Sequence, residues 1–355
     1  MINNFLRKIE KRIRLLYYFF HRKLVPTPNI ESFLSNSLDI TKNGTPSFKI
    51  LYLALKYDYG VKKSGLSFEE YNYYNTLKNI NNLEVIRLDL YSIYLKYGKH
   101  FTNKIIKEVS IIEGVDKIIF FLYEDIIDHD FIKDISDNYP IETIIWLFDD
   151  DKRYDETIQL TKCFNKVITT INQKHKLRLK KGMNSYLFQF AANHFLYKNF
   201  NLRKIYDVVF IGQNFGNRQE YINHLISNGI KVSCYGNGWP NGRVTQSEMI
   251  DIFNKSKIVL NFSSSFGHPD LKFLKGRIFE TPTTGAFLLT EICEELDLFF
   301  ERGKDLECFK DKDELLEKVQ FYLSKPKLRN KIAQTGQIKV RDNYTIEKQL
   351  MKLLC

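Results

Sequence analysis

Asp207-Val208-Val209-Phe210-Ile211-Gly212-Gln213-Asn214-Phe215-Gly216 is the stretch on which the fold turns. An apolar run closed by glycine is the pattern of a strand buried on both faces, as a parallel sheet flanked by helices requires. Asn217 and Glu220 follow at the spacing of a capping box. Tyr221, Ile222, Leu225 and Ile226 then share one helical face, and Gly229 marks the stop. The next strand, 230–235, closes on Gly236-Asn237-Gly238-Trp239-Pro240. Thr245 and Glu248 open another capped helix, and 258–262 reads as a further strand. Strands and helices alternating at these lengths imply a parallel sheet with right-handed crossovers.

The same alternation occupies the amino-terminal half. Strands are predicted over 48–55, 83–90, 116–122, 143–148 and 166–170, with helices over 69–79, 94–112, 126–139 and 155–163. The expected fold class is therefore α/β, with two Rossmann-like parallel-sheet domains facing across a cleft. Ligands are expected at the carboxyl ends of the strands. The reading divides the chain into a basic amphipathic helix at 1–25, a first domain at 26–200 and a second at 201–340. A linker is placed near 198–204, and a carboxyl-terminal helix at 341–355 is expected to pack back on the first domain.

Bulk properties narrow the function classes. Of 355 residues, 44% are hydrophobic and 14% aromatic, which is ample for folded domains and argues against disorder. The five cysteines are scattered without a Cys-x-x-Cys pair, so neither a zinc site nor a disulfide framework is expected. A reducing, cytoplasmic setting fits. The apolar runs are far shorter than a spanning helix needs, and the amino terminus lacks a secretory-signal pattern.

The net charge of +11 is unevenly spread. Arg7, Lys8, Lys11, Arg12, Arg14, Arg22 and Lys23 are accompanied by one acid, Glu10, while Ile2, Phe5, Ile9, Ile13, Leu16, Phe20 and Leu24 form an apolar stripe. Two readings are open: a helix lying peripherally on an anionic membrane surface, or a helix packing its stripe on the protein. A second run, Lys174-His175-Lys176-Leu177-Arg178-Leu179-Lys180-Lys181, contains no acid and reads as a solvated face or as an extension of the first patch.

Chemistry concentrates in Lys275-Gly276-Arg277-Ile278-Phe279-Glu280-Thr281-Pro282-Thr283-Thr284-Gly285, which runs into a buried strand. A helix start carries partial positive charge, so Lys275 and Arg277 are poorly placed there unless an anion faces them. Arg218 repeats that arrangement at the start of an earlier helix. Together the two sites suggest a bound diphosphate, with solvated surface cations as the alternative. The loop from Gly212 to Gly216 does not match the dinucleotide fingerprint, and the Walker phosphate loop is absent. Glu280 suits either a ribose diol or an ordinary first-turn position.

Residues 248–261 and 275–291, with 207–212, 236–239 and 297–300, resemble the carboxyl-terminal domain of group-1 glycosyltransferases, nearest the branch named after the spore-maturation protein CgeB. The resemblance spans most of 205–345; the amino-terminal half is similar in layout, notably at 146–150 and 190–193. It implies the GT-B fold, a nucleotide-sugar donor held by the second domain, and no metal or other cofactor. By position it implies ribose binding at Glu280 and diphosphate contacts at Lys275, Arg277 and the Gly212, Asn214 and Arg218 loop. Gly236, Asn237 and Thr284 complete the donor site. Many relatives carry a second glutamate earlier in the segment, where this chain has Lys272. The implied reaction is a hexosyl transfer, retaining and metal-independent, to a glycan, lipid-linked or protein acceptor in surface polysaccharide or glycoconjugate synthesis. Lys275, Arg277 and Glu280 would act at the reacting centre, and Asp128, His129 and Asp149 are the candidates for an acceptor-side base.

Three other readings remain. Asp149-Asp150-Asp151 after an apolar strand could hold a divalent ion, as in metal-dependent Asp-x-Asp glycosyltransferases, or could cap the next helix. A sugar-nucleotide epimerase would use the same architecture. A basic nucleic-acid-binding protein would need aromatics interleaved with its cations, which these basic runs lack.

Overall fold

The computed structural model describes residues 17–18, 22, 26, 28–122, 125–148, 150–265 and 268–354. It divides into two compact units, Met1–Gln189 and Phe190–Cys355. The predicted amphipathic helix at 1–25 lies outside the described residues, apart from Tyr17, Tyr18 and Arg22 in its span.

The first unit contains β1 (Asp39–Asn43), β2 (Phe48–Ala54), β3 (Leu83–Asp89), β4 (Lys117–Phe120), β5 (Glu142–Leu147), β6 (Lys166–Thr169) and β7 (Ser185–Leu187), in the order β1-β3-β2-β4-β5-β6-β7. Only the edge pairing of β1 with β3 is antiparallel. Both faces of the sheet are covered: Leu51 and Tyr52, Ile118 and Ile119, and Ile144 and Ile145 point to opposite faces and are all at 0% exposure. The α-helices fully within its described residues are α1 (Ile30–Ser37), α2 (Asn75–Asn79), α3 (Leu90–Ile112), α4 (His129–Asn138), α5 (Asp150–Thr161) and α6 (Asn172–Lys180). The predicted helix over 69–79 begins as a π-helix, Glu70–Tyr74, before tightening into α2. In α3 the backbone breaks at Gly98 (φ 85°). Just before that break, Tyr94 and Leu95 accept hydrogen bonds at their carbonyls from Arg22, so this one basic residue is turned toward the protein.

The second unit is a parallel sheet of β8 (Tyr206–Ile211), β9 (Val232–Tyr235), β10 (Ser256–Asn261), β13 (Phe287–Glu291) and β14 (Glu307–Phe309), in the order β14-β13-β10-β8-β9. A short antiparallel pair, β11 (Ser264–Ser265) and β12 (His268–Lys272), stands outside it. The helices are α7 (Arg218–Ser227), α8 (Gln246–Asn254), α9 (Gly276–Thr283), α10 (Lys312–Ser324), α11 (Pro326–Asn343) and α12 (Ile346–Leu354). No described helix is long and apolar enough to cross a membrane.

Two local readings need correction. The segment expected to be the linker is fastened to the second unit: Phe200 N donates to Asn254 Oδ1 at 2.7 Å, Asn254 Nδ2 donates to the Lys198 carbonyl at 2.9 Å, and Lys204 Nζ donates to the Asn254 carbonyl at 2.7 Å. The division between units therefore falls earlier, after Gln189. The capping box expected at Asn217 does not form, because Asn217 has ψ near 0° rather than the extended conformation of a cap, and Glu220 pairs with Lys312 instead.

The second capping box is present. Thr245 Oγ1 accepts from Glu248 N at 3.3 Å, and Glu248 Oε2 accepts from Thr245 N at 2.7 Å. Thr245→Ala is expected to cost about 1 kcal/mol. It should appear as a lower urea midpoint with an unchanged slope.

Candidate functional site

In the second unit the chain passes from β8 to β9 on one side, then returns across β8 to β10 on the other. The strand order reverses between β8 and β10, where an open α/β sheet leaves a crevice at its carboxyl edge. The loops after β8 and β9 interlock at that edge. Gly212 N donates to the Tyr235 carbonyl at 2.9 Å, Asn214 N donates to the Asn237 carbonyl at 2.8 Å, and Trp239 Nε1 donates to the Gly212 carbonyl at 2.9 Å. Gly236 has φ 126°, and a Cβ there would stand 2.2 Å from the Gly212 carbonyl oxygen, so only glycine permits this approach.

Arg218 begins α7 and spans the reversal point. Its Nη1 donates to the carbonyl of Gln213, after β8, at 2.8 Å, and its Nη2 reaches the carbonyl of Phe262, after β10, at 3.5 Å. The guanidinium lies 3.7 Å from the Phe215 ring centre, with Phe210 and Phe262 also beneath it. It is 6% exposed and is not the solvated surface cation of the bland reading. Burial pulls its pKa down to about 10, while the more distant Glu291 acts in the opposite direction. Among the described residues its hydrogen-bond partners are carbonyl oxygens rather than a carboxylate, and Nε has no partner. A buried cation held this way is an incomplete ion pair that an incoming anion would complete.

The loop after β10 joins Arg218 to α9. Phe273 N donates to the Ser263 carbonyl at 3.1 Å, which leads the chain to Lys275, the N-cap of α9. Glu291, at the end of β13, secures that loop: its Oε2 accepts from Ser263 N at 2.9 Å and Ser264 N at 3.2 Å, and its Oε1 pairs with Lys272 Nζ at 3.0 Å. Lys272 thus has an internal partner. Glu291 gives no signal of this role in the sequence, because its partners lie far away along the chain.

Within α9, Arg277 Nη1 donates to Glu280 Oε2, and the Glu280 side chain is fully buried. The anion beside Arg277 in this structure is therefore Glu280 itself, one helical turn on. Thr284 Oγ1 donates back to the Thr281 carbonyl at 2.7 Å. Pro282 sits inside the last turn, and Gly285, with φ 71°, provides the left-handed stop. Gly212, Asn214, Arg218, Gly236 and Asn237 are thus brought together directly, and the β10 loop connects them to Lys275, Arg277, Glu280 and Thr284.

The remaining candidates belong to the first unit. Asp128 and His129 are exposed beyond β4, where the Asp128 carboxylate accepts from Asn103 Nδ2 at 2.5 Å and pairs with Lys99 at 3.3 Å. Asp149 lies outside the described residues. Its neighbour Asp150 opens α5 and is held by both Nη atoms of Arg178, with Thr169 Oγ1 donating at 2.6 Å. Asp150 is the intervening residue of Asp149-Asp150-Asp151, and its pairing with the buried Arg178 corrects the expectation that Arg178 belongs to a solvated face. Among the described residues no group of three or more His, Cys, Asp or Glu side chains is placed to hold a metal ion.

Comparison with known proteins gives this architecture its class. Residues 218–355 match a family model described as glycosyl transferase-like. The carboxyl-terminal part of the chain is thus similar to glycosyl transferase-like domains. A search of curated protein sequences gives no match. Among solved structures, sucrose-phosphate synthase from Thermosynechococcus elongatus aligns with a TM-score of 0.60 at 11% identity, covering 86% of this chain and 98% of its own. A glycosyltransferase from Rickettsia africae aligns at 0.61 and 12%, covering 86% and 97%. The Anabaena protein HepE, solved with UDP and glucose, aligns at 0.57 and 12%, covering 86% and 99%. At such identities the likeness defines the fold, which is GT-B.

Proposed function

We propose that the chain moves a hexosyl group from a nucleotide-sugar donor, held at the carboxyl ends of β8, β9 and β10, to a glycan, lipid-linked or protein acceptor taken by the first unit. The observation that carries this reading is Arg218: a buried cation across the strand-order reversal, bonded to carbonyls and positioned for a diphosphate. The HepE structure with UDP-glucose supports a uridine nucleotide as the first donor to test. In the reaction the bond from the anomeric carbon to the diphosphate oxygen breaks and a bond to the acceptor oxygen forms. Arg218, Lys275 and Arg277 supply positive charge for the departing diphosphate, which is the role a divalent ion would otherwise take. Glu280, held by Arg277, is positioned for the ribose. Retention of anomeric configuration follows the family resemblance, and the expected setting is surface polysaccharide or glycoconjugate synthesis on the cytoplasmic side.

Thermal-shift screening against a panel of nucleotide sugars tests the donor assignment, because a ligand that binds only the folded state raises its midpoint. Glu280→Gln keeps the side-chain shape and removes the charge. It is expected to raise the donor KM by about 10- to 100-fold, the loss of one charged hydrogen bond. A normal donor KM in that variant would remove Glu280 from the site. Isomerised nucleotide sugar formed without acceptor would replace the transferase reading with an epimerase.

A further inference from the structure

Asp and Glu are absent from Thr157 to Tyr206, a stretch that carries ten lysines and arginines. Among the described residues two of those cations have a carboxylate partner: Lys166 pairs with Glu142, and Arg178 with Asp150. The charge that remains is densest on α6 and its C-cap, Lys181.

That helix is inside out. Its buried residue is Arg178, fixed by Asp150, and His175 Nδ1 meets Ser185 Oγ at 3.1 Å. Those two contacts set the rotation of the helix. With about 3.6 residues per turn, Lys176 and Lys180 then line up opposite Arg178, and Leu177 and Leu179 form the two shoulders. Leu177 is 39% exposed and Leu179 50%, while Lys176, Lys180 and Lys181 are all exposed. Lys174 lies instead over the Tyr154 ring, 4.7 Å from its centre. A surface helix ordinarily turns its leucines toward the core. Here an ion pair occupies the inner side, and both leucines are left in water among lysines.

We propose that the outer face of α6 docks on an anionic phospholipid surface. Leu177 and Leu179 would enter the boundary between headgroups and acyl chains, where their apolar area leaves water. Lysine stems are long enough to keep the ammonium groups among the lipid phosphates while the leucines sink. The charge of the face is complementary to such a surface, and no acid on the helix opposes it. Its shape also fits: a convex ridge one helix wide is readily enclosed by mobile headgroups, whereas a stable protein partner needs a broad complementary area. The face is separate in sequence from residues 1–25, and the inference goes beyond the transferase reading without depending on it.

Sedimentation of the full-length protein with vesicles tests this face, using phosphatidylcholine alone and phosphatidylcholine mixed with phosphatidylglycerol. Binding to the mixed vesicles and not to the neutral ones is expected. Lys176→Gln, Lys180→Gln and Lys181→Gln combined should weaken it by about 10- to 100-fold, since each lysine near an anionic surface adds attraction. These substitutions leave Arg178 and His175 in place, so the unfolding midpoint should not move. Insertion is read separately from attachment through any other segment. In a Leu179→Trp variant the added indole should shift its emission to the blue on mixed vesicles and be quenched by brominated lipid. Trp146 and Trp239 are 1% and 6% exposed and so are shielded from both effects. Leu177→Trp serves as a second reporter should Leu179→Trp fold poorly. The proposal is overturned if the parent fails to bind mixed vesicles or binds neutral ones equally well. It is also overturned if the triple variant binds as the parent does, or if the reporter's emission is unchanged on the bound protein.

Discussion

Arg218→Met is expected to lower turnover by about 100- to 1,000-fold, the loss commonly seen when one preorganised group facing developing charge is removed. Methionine keeps the packing against Phe210, Phe215 and Phe262 while removing the charge. The variant should fold at least as well as the parent. Arg218 is desolvated with carbonyl partners, so replacing it by an apolar side chain relieves a cost of the empty site rather than creating one. The combination of a collapsed kcat with a midpoint that is unchanged or raised separates a substrate-facing cation from a structural one. A lowered midpoint with activity falling in proportion to the folded fraction would assign Arg218 to the scaffold.

Arg178→Met is expected to have the opposite profile: a stability loss of about 3–5 kcal/mol from a buried carboxylate left without its partner. For a unit of this size that corresponds to roughly 6–20 °C in the unfolding midpoint. Arg178 and Asp150 side chains are both at 0% exposure, and the pair joins the start of α5 to α6, with Thr169 at the end of β6 as a third member. Removing both charges in Arg178→Met with Asp150→Leu should recover most of the loss, because no unpaired ion then remains. A double variant as unstable as the single one would show that packing rather than charge dominates the position. The comparison is read by calorimetry on the first unit's transition, with that of the second unit as an internal reference.

Much of the fold was legible because burial on both faces writes itself into composition. Phe48–Ala54 and Tyr206–Ile211 are near-continuous apolar runs, and their shortness and their glycine or polar flanks favour strands over helices. β1 was missed for the converse reason. Asp39–Asn43 is a polar, largely exposed edge strand, held by its pairing with β3 rather than by any pattern of its own. Asn217 shows the limit of a spacing rule: the residues fit a capping box, yet backbone angles and a competing Lys312 decided otherwise.

The candidate site was legible in part. Lys275, Arg277 and Arg218 could be singled out because cations at helix starts conflict with the helix dipole, and a conflict of that kind points to function. Their partners could not be read. Glu280 beside Arg277 was open to a bland interpretation, and Glu291 beside Lys272 gave no signal, since the strand carrying it is apolar and the groups it binds lie in another loop. Arg178 was misjudged because it sits in a run of lysines, and only Asp150 on another helix explains its burial.

The sequence by itself determined the alternation of strand and helix, the two-unit architecture and the position of most glycine stops, since these depend on local backbone freedom and on hydrophobic pattern. Tertiary structure alone decided which charges meet. Strand order brings the ends of β8 and β10 under Arg218 and folds the β10 loop onto Glu291. Burial follows from short-range composition, whereas an ion pair depends on groups brought together from distant parts of the chain.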